Sequence, residues 1–177
     1  MGNAKSFISE RVGKESLNVT ILGLHSVGKT SLLYALKLGE HINTLPNIGL
    51  NIERVQYKQF SINMYDVGGG PAIQNSWSVY TGNSSAIIFV IDSTDRLRIS
   101  EFLRLHDKCL EETAEEIPVV YYANKQDIPG AISICEIVEL YGLNSSKRKW
   151  VVLPSSAKRL EGIWQGVAWI CNSYTKI

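Results

Sequence analysis

The chain has 177 residues, 45% of them hydrophobic and 20% charged, which predicts one globular domain with a full apolar core. Its formal net charge of +1 provides no surplus of basic side chains for a phosphate backbone, so nucleic acid is disfavoured as a partner. The three cysteines lack metal-ligand spacing and indicate reduced thiols in a cytoplasmic protein, and no run reaches the roughly 20 apolar residues of a membrane span.

Apolar runs rich in Val and Ile alternate with amphipathic segments, which predicts an α/β fold with a mostly parallel sheet. Six strands are expected, at residues 17–22, 50–57, 61–65, 86–91, 119–123 and 150–153. Four helices are expected, at residues 31–37, 100–112, 133–141 and 162–174. Ser133 and Glu136 form the capping-box pattern at the start of the third helix. Because no helix separates the second and third strands, they are predicted to pair as an antiparallel hairpin at the sheet edge.

The phosphate-loop pattern G-x-x-x-x-G-K-S/T stands between the first strand and the first helix, the structural context that it requires. Its residues, with the one that follows, are Gly23, Leu24, His25, Ser26, Val27, Gly28, Lys29, Thr30 and Ser31. Such a loop turns backbone N–H groups and the positive end of a helix toward phosphate oxygens. Lys29 is expected to reach the β- and γ-phosphates and Thr30 to bind Mg²⁺, while His25 is interpreted as a solvated side chain. An ordinary glycine turn is disfavoured, because the pattern arises by chance in roughly one chain per hundred.

A carboxylate and a pair of glycines follow the third strand. Asp66 is predicted to lie at the carboxyl end of that strand, where open α/β sheets bind ligands. It is the candidate to hold Mg²⁺ through water, and the N–H of Gly69 is the candidate to contact the γ-phosphate. Taken alone, an Asp before a glycine turn is equally well explained as a turn-forming residue.

Two further motifs point to guanine as the base. They comprise Asn124, Lys125 and Asp127 after the fifth strand, in the pattern N-K-x-D, and Ser156, Ala157 and Lys158 after the sixth, in the pattern S-A-K. The Asp127 carboxylate can accept two hydrogen bonds from guanine, a donor pair that adenine does not present. Asn124 is expected to tie this loop to the phosphate loop, and the N–H of Ala157 to meet guanine O6. Each motif alone is compatible with a polar loop, but their order at these strand ends favours GTP and GDP as ligands.

Several stretches together resemble the ADP-ribosylation factor and Arf-like (Arf/Arl) family of small GTPases. They are 46–53 (PNIGLNIE), 66–69 (DVGG), 91–95 (IDSTD) and 124–131 (NKQDIPGA), with Trp77 and Tyr80. The resemblance implies a P-loop NTPase G domain whose six-stranded sheet is mostly parallel, with one antiparallel edge hairpin and helices on both faces. It further implies that residues near 40–52 and 66–80 form switches I and II. The hairpin between them is then a moving interswitch.

The chain departs from this family at positions that matter for hydrolysis and for partner choice. Asn47 stands where the family has a Thr that completes the Mg²⁺ shell, and its amide oxygen is a candidate metal ligand. Gly70 stands where the family has the Gln that orients the attacking water, so no catalytic residue is assigned. Leu50 and Tyr65 replace the Phe and Trp of the aromatic cluster that faces effectors, while Tyr80 is kept.

The first residues fit the pattern M-G-x-x-x-S/T for myristoylation on Gly2. Residues 1–16 are therefore predicted to form an amphipathic, lipid-bearing segment, and residues 17–177 the G domain. The apolar positions recur at helical spacing, at Ala4, Phe7, Ile8 and Val12. In the family, such a helix moves from a groove on the protein to the membrane when GTP binds. The alternative is a disordered tail with a chance motif, since the pattern is short.

These patterns predict a monomeric guanine-nucleotide switch with slow or absent GTP hydrolysis. An exchange factor, an activating protein and effectors are the implied partners, at a cytosolic face such as the Golgi or another endomembrane. Two alternatives stay open. One is a pseudo-GTPase scaffold, and the other is a P-loop nucleotide or metabolite kinase, against which N-K-x-D and S-A-K argue. Gln74, or a side chain from an activating partner, is an alternative source of the missing catalytic group.

Overall fold

A six-stranded mixed sheet organises the part of the chain that the computed structural model describes, residues 15–45 and 47–175. Its strands are β1 (Glu15–Leu22), β2 (Leu50–Tyr57), β3 (Phe60–Val67), β4 (Ala86–Asp92), β5 (Val119–Asn124) and β6 (Trp150–Pro154). Their order is β2-β3-β1-β4-β5-β6, and every pair except β2 with β3 is parallel. This arrangement confirms the predicted mostly parallel sheet with one antiparallel edge hairpin.

Six α-helices of the described chain surround the sheet, and the four that were predicted begin and end close to the predicted positions. The six are α1 (Lys29–Leu38), α2 (Pro71–Gln74), α3 (Trp77–Thr81), α4 (Ile99–Glu111), α5 (Ile134–Leu140) and α6 (Ile163–Tyr174). Ser133 is the N-cap of α5 and accepts a hydrogen bond from the N–H of Glu136 at 3.2 Å, as the capping-box pattern indicates. Helices α2 and α3 were not predicted, because segments of four and five residues are too short to display helical periodicity.

The core lies against the central strands. Every residue of β4 and β5 is buried, which requires cover on both faces of the sheet. Phe89 of β4 packs edge-on against Phe102 of α4, with ring centroids 5.6 Å apart, and lies 6.3 Å from the ring of Trp77. Switch II and α4 are thereby both fixed to the middle of the sheet.

Residues 1–14 of the predicted lipid-bearing segment, including Gly2, lie outside the part of the chain that the structure describes. Strand β1 begins at Glu15, two residues before the predicted start of the G domain at 17. Within the described ranges, no helix combines the length and apolar character needed to cross a membrane.

Candidate nucleotide-binding site

The loop between β1 and α1 curls tightly enough to require glycine at two positions. Gly23 and Gly28 have φ angles of 147° and 100°. A Cβ atom at Gly23 would stand 2.4 Å from the carbonyl oxygen of Val90, and one at Gly28 would stand 2.4 Å from Nδ2 of Asn124. Both distances are shorter than the nonbonded contacts that Cβ atoms make in proteins. The loop conformation therefore depends on these glycines.

The loop walls a cavity of about 220 Å³, called here the P-loop cavity. Its lining residues are His25, Ser26, Gly28, Lys29, Thr30, Ser31, Thr44, Leu45, Asn47 and Gly69. The predicted phosphate-loop residues and the start of switch II therefore face one space. The other three predicted loop residues, Gly23, Leu24 and Val27, are buried, and the carbonyl of Val27 accepts a hydrogen bond from Asn124.

Lys29 lies buried at the base of the P-loop cavity. Its Nζ donates to the carbonyl oxygens of Gly23 and Leu24, each at 2.9 Å. Burial lowers the pKa of Lys29 to about 8, against the raising effect of the Asp66 carboxylate. A buried ammonium group has lost stabilising contacts with water, and a nearby anion would stabilise its charged form.

Asp66 and Thr30 form the candidate Mg²⁺ site. Oγ1 of Thr30 donates to Oδ2 of Asp66 at 2.6 Å, while Oδ1 of Asp66 is buried without a hydrogen-bond partner among the described residues. Burial raises the pKa of Asp66, and the hydrogen bond from Thr30 and the charge of Lys29 oppose that rise. A buried carboxylate oxygen without a partner is costly. The oxygen donors present therefore fit a hard cation that also takes phosphate and water ligands.

The geometry of Asn47 differs from the predicted direct contact to Mg²⁺. Its Nδ2 donates to the carbonyl oxygen of Asp66 at 2.7 Å, and its Oδ1 accepts from the N–H of Gly49 at 3.0 Å. Because a carbonyl can only accept and an N–H can only donate, these two bonds fix the orientation of the amide. The amide oxygen, which is the metal-binding atom, is engaged inside switch I, and Asn47 acts in this conformation as a brace on Asp66.

The N-K-x-D loop is tied to the P-loop as the sequence predicts. Nδ2 of Asn124 donates to the carbonyl of Val27 at 2.9 Å, and Nζ of Lys125 donates to the carbonyl of Ser26 at 2.9 Å. Lys125 also pairs with Asp92 at 2.6 Å. The base loop and the phosphate loop are thus held together by two direct links.

Ser156 and Ala157 of the predicted S-A-K element lie against the N-K-x-D loop. A hydrogen bond from Ser156 holds the pKa of Asp127 below its usual range, aided by the charges of Arg159 and Lys158. Asp127 is therefore an ionised acceptor. The N–H of Ala157, predicted to meet guanine O6, donates instead to Oδ1 of Asn124 at 3.0 Å.

Sequence reasoning missed the contacts that α4 makes with the site. Nη1 of Arg98 lies 3.1 Å from the carbonyl oxygen of His25 and 3.2 Å from its Nε2, so His25 is not simply solvated. Gln74, suggested as a substitute catalytic residue, is buried and donates to the carbonyl of Gly69 at 2.9 Å. The Asp95-x-x-Arg98 spacing, which forms a salt bridge here, is the one local signal that could have drawn attention to Arg98.

Leu50 and Tyr65, which stand where the resemblance predicts Phe and Trp, lie together with Tyr80. Leu50, Tyr65, Val79 and Tyr80 line a pocket of about 200 Å³ between the hairpin and switch II. Leu50 and Val79 are exposed.

The strand order, with a phosphate loop after β1 and a base-reading motif after β5, defines a P-loop domain of the small GTPase class. Residues 4–174 match the sequence profile of the ADP-ribosylation factor family, and the chain belongs to that family. ADP-ribosylation factors J and K of Dictyostelium discoideum are each 43% identical over 163 residues, which cover 91% of this chain and 87% of each relative. The Arl6 (BBS3) small GTPase of Trypanosoma brucei, solved with the bound nucleotide analogue GppNp, matches with a TM-score of 0.82. That match is 28% identical and covers 89% of this chain and 96% of that chain.

Proposed function

We propose that this chain is a guanine-nucleotide switch that binds GTP and GDP with Mg²⁺ and hydrolyses GTP very slowly. The observation that carries the proposal is the position of Asn124. Its Nδ2 holds the phosphate loop at Val27, and its Oδ1 accepts from Ala157 of the S-A-K element. One buried side chain thus joins three motifs that recognise different parts of one nucleotide.

Each part of the site has a proposed task. Lys29 and the loop amides bind the phosphates, Thr30 and Asp66 hold Mg²⁺, and Asp127 reads the guanine base. A Mg²⁺ ion held by Thr30 and Asp66 would supply positive charge that offsets the negative charge of the phosphates. The N–H of Ala157 can donate to guanine either with guanine as a second acceptor beside Asn124 or after its hydrogen bond to Asn124 breaks.

Replacing Lys29 by alanine is expected to remove most bound nucleotide from the purified protein, because the variant loses the buried cation of the P-loop cavity. Thr30→Asn is expected to shift the remaining nucleotide toward GDP or toward empty protein. The measurement is chromatography of the nucleotide released on denaturation, with Lys37→Ala as the control. Lys37 is on the same helix but pairs with Glu53 at the surface. Unchanged nucleotide content in both site variants would refute the P-loop assignment.

The proposed partners are an exchange factor, an activating protein and effectors that bind switch I, the interswitch and switch II. Support comes from the apolar side chains that these segments expose. Ile48 is 90% exposed and Val79 is 77% exposed, beside the half-exposed Leu50 and Ile52. Such an exposed apolar patch on a small protein is typical of an interaction surface. A role in vesicle or membrane trafficking is the proposed setting, at a cytosolic face of the Golgi or another endomembrane.

Replacing Gly2 by alanine is expected to release the protein from membranes in cells. The proposed myristoyl chain supplies most of the apolar area available for insertion, and one acyl chain gives only marginal, reversible binding. Subcellular fractionation measures the effect, and mass spectrometry of the unchanged protein shows whether Gly2 carries the lipid. Asn3→Ala, which keeps the acceptor glycine, is the matched control. Equal membrane fractions for Gly2→Ala and the unchanged protein would rule out the lipid model.

A further inference from the structure

Switch II begins in direct contact with the phosphate loop. A Cβ atom at Gly69 would stand 2.4 Å from the carbonyl oxygen of Gly23 and 2.5 Å from the backbone nitrogen of His25. Gly69 also lines the P-loop cavity beside Lys29 and Thr30. These two backbone segments therefore lie close together where both line the P-loop cavity.

Gln74 holds the switch II side of this contact. Its Nε2 donates to the carbonyl of Gly69 at 2.9 Å and to Oε1 of Glu101 at 3.1 Å. Both acceptors lack hydrogens, so the two protons of the amide nitrogen are committed and the amide orientation is fixed. Gln74 is only 7% exposed, and it connects Gly69 to Glu101 in the first turn of α4.

Arg98 holds the phosphate-loop side. Its Nη1 donates to the carbonyl oxygen of His25 at 3.1 Å and lies 3.2 Å from Nε2 of the same residue. Asp95 pairs with the Nε of Arg98 and keeps the guanidinium in place.

Both contacts originate in a single turn of helix. Arg98 is the N-cap of α4, and Glu101 lies three residues later in the first turn. The N–H of Phe102 donates to the carbonyl of Arg98 at 3.0 Å, and the buried Phe102 ring packs against Phe89 of β4. The turn is thus anchored in the core, while Arg98 reaches His25 and Glu101 reaches Gln74.

We infer that the first turn of α4 is a positioning clamp for the nucleotide phosphates. Arg98 fixes the phosphate loop, and Glu101 fixes Gly69 through Gln74. The inference rests on the proposed nucleotide binding, and it adds that Arg98 and Glu101 stabilise different nucleotide complexes. The contact of Arg98 with His25 stabilises both the GDP and the GTP complex, because both nucleotides bind the phosphate loop. The contact of Glu101 with Gln74 stabilises the GTP complex selectively, because Gly69 is positioned to contact the γ-phosphate.

The experiment compares release rates of fluorescent GDP and of a fluorescent non-hydrolysable GTP analogue. Glu101→Ala is expected to speed release of the GTP analogue about tenfold and to leave GDP release within about twofold, the scale of one charge-assisted hydrogen bond. Glu101→Gln keeps an acceptor oxygen and is expected to restore near-normal rates. Arg98→Gln is expected to speed release of both nucleotides by a similar factor.

Two controls separate the clamp from general damage. Arg96→Gln removes the same charge from the same segment but breaks only the exposed pair with Glu136. Ser78→Ala removes a different link from switch II, to Glu112 at the C-cap of α4. Neither is expected to change the ratio of the two release rates. Equal effects of Glu101→Ala on both nucleotides, or Arg98→Gln behaving like Arg96→Gln, would overturn the clamp alone. Failure of the unchanged protein to bind either nucleotide would overturn the proposed function and the clamp with it.

Discussion

Replacing Asp127 by alanine is expected to abolish discrimination between guanine and adenine nucleotides, while the unchanged protein prefers GDP to ADP by ~10⁴ or more. The Asp127 carboxylate is kept ionised by Ser156 and by nearby positive charges, so it accepts hydrogen bonds and does not donate them. Guanine offers it a pair of donors, and adenine leaves the carboxylate unpaired. Titration calorimetry with GDP and ADP in the presence of Mg²⁺ measures the difference.

The conservative variant Asp127→Asn makes this test sharper. Xanthine has an oxygen acceptor at the 2-position, where guanine has an amino donor. The amide of an asparagine can donate a hydrogen bond to that oxygen, which a carboxylate cannot do. Asp127→Asn is therefore expected to lose affinity for GDP and to gain affinity for xanthosine diphosphate. Asp107→Ala removes a largely exposed carboxylate from α4 and serves as the control. Equal affinity of the unchanged protein for GDP and ADP would show that Asp127 does not read the base.

Restoring the missing glutamine with Gly70→Gln is expected to raise single-turnover GTP hydrolysis at least about tenfold, a barrier change of about 1.4 kcal/mol. Ras, a small GTPase that carries the glutamine, hydrolyses GTP on the order of 10⁻⁴ s⁻¹ without an activating protein, and this chain should be slower still. Gly70 has φ −82° and ψ 161°, which any residue adopts, and an added Cβ meets no atom within 4 Å. The backbone can therefore accept the side chain without strain.

Gln74, the internal substitute that the sequence suggests for the glutamine, is not available for that role in this conformation. Gln74 has both amide protons bound to Gly69 and Glu101, so it is not free to orient water. Gly82→Gln is a matched control, because Gly82 closes α3 and also has room for a Cβ. The account of hydrolysis fails if the unchanged protein is faster than glutamine-bearing relatives. It also fails if Gly70→Gln gives no gain even beside Asn47→Thr.

The sequence alone determined the sheet and the chemical class of the site. The six strands follow the predicted order of βα units, because buried strands are encoded by local runs of Val and Ile and an edge hairpin by the lack of an intervening helix. The phosphate loop and N-K-x-D were recognisable because each is a contiguous motif whose function depends on neighbouring backbone atoms.

Tertiary structure decided which side chains brace those motifs. Arg98 is 73 positions from His25, and Glu101 is 27 positions from Gln74, so no local pattern could pair them. The amide orientation of Asn47 likewise depends on where the carbonyl of Asp66 and the N–H of Gly49 come to lie. Polar contacts of this kind are set by the packing of whole elements against one another. That packing depends on residues throughout the core, whereas the geometry of a motif depends on a few neighbouring residues.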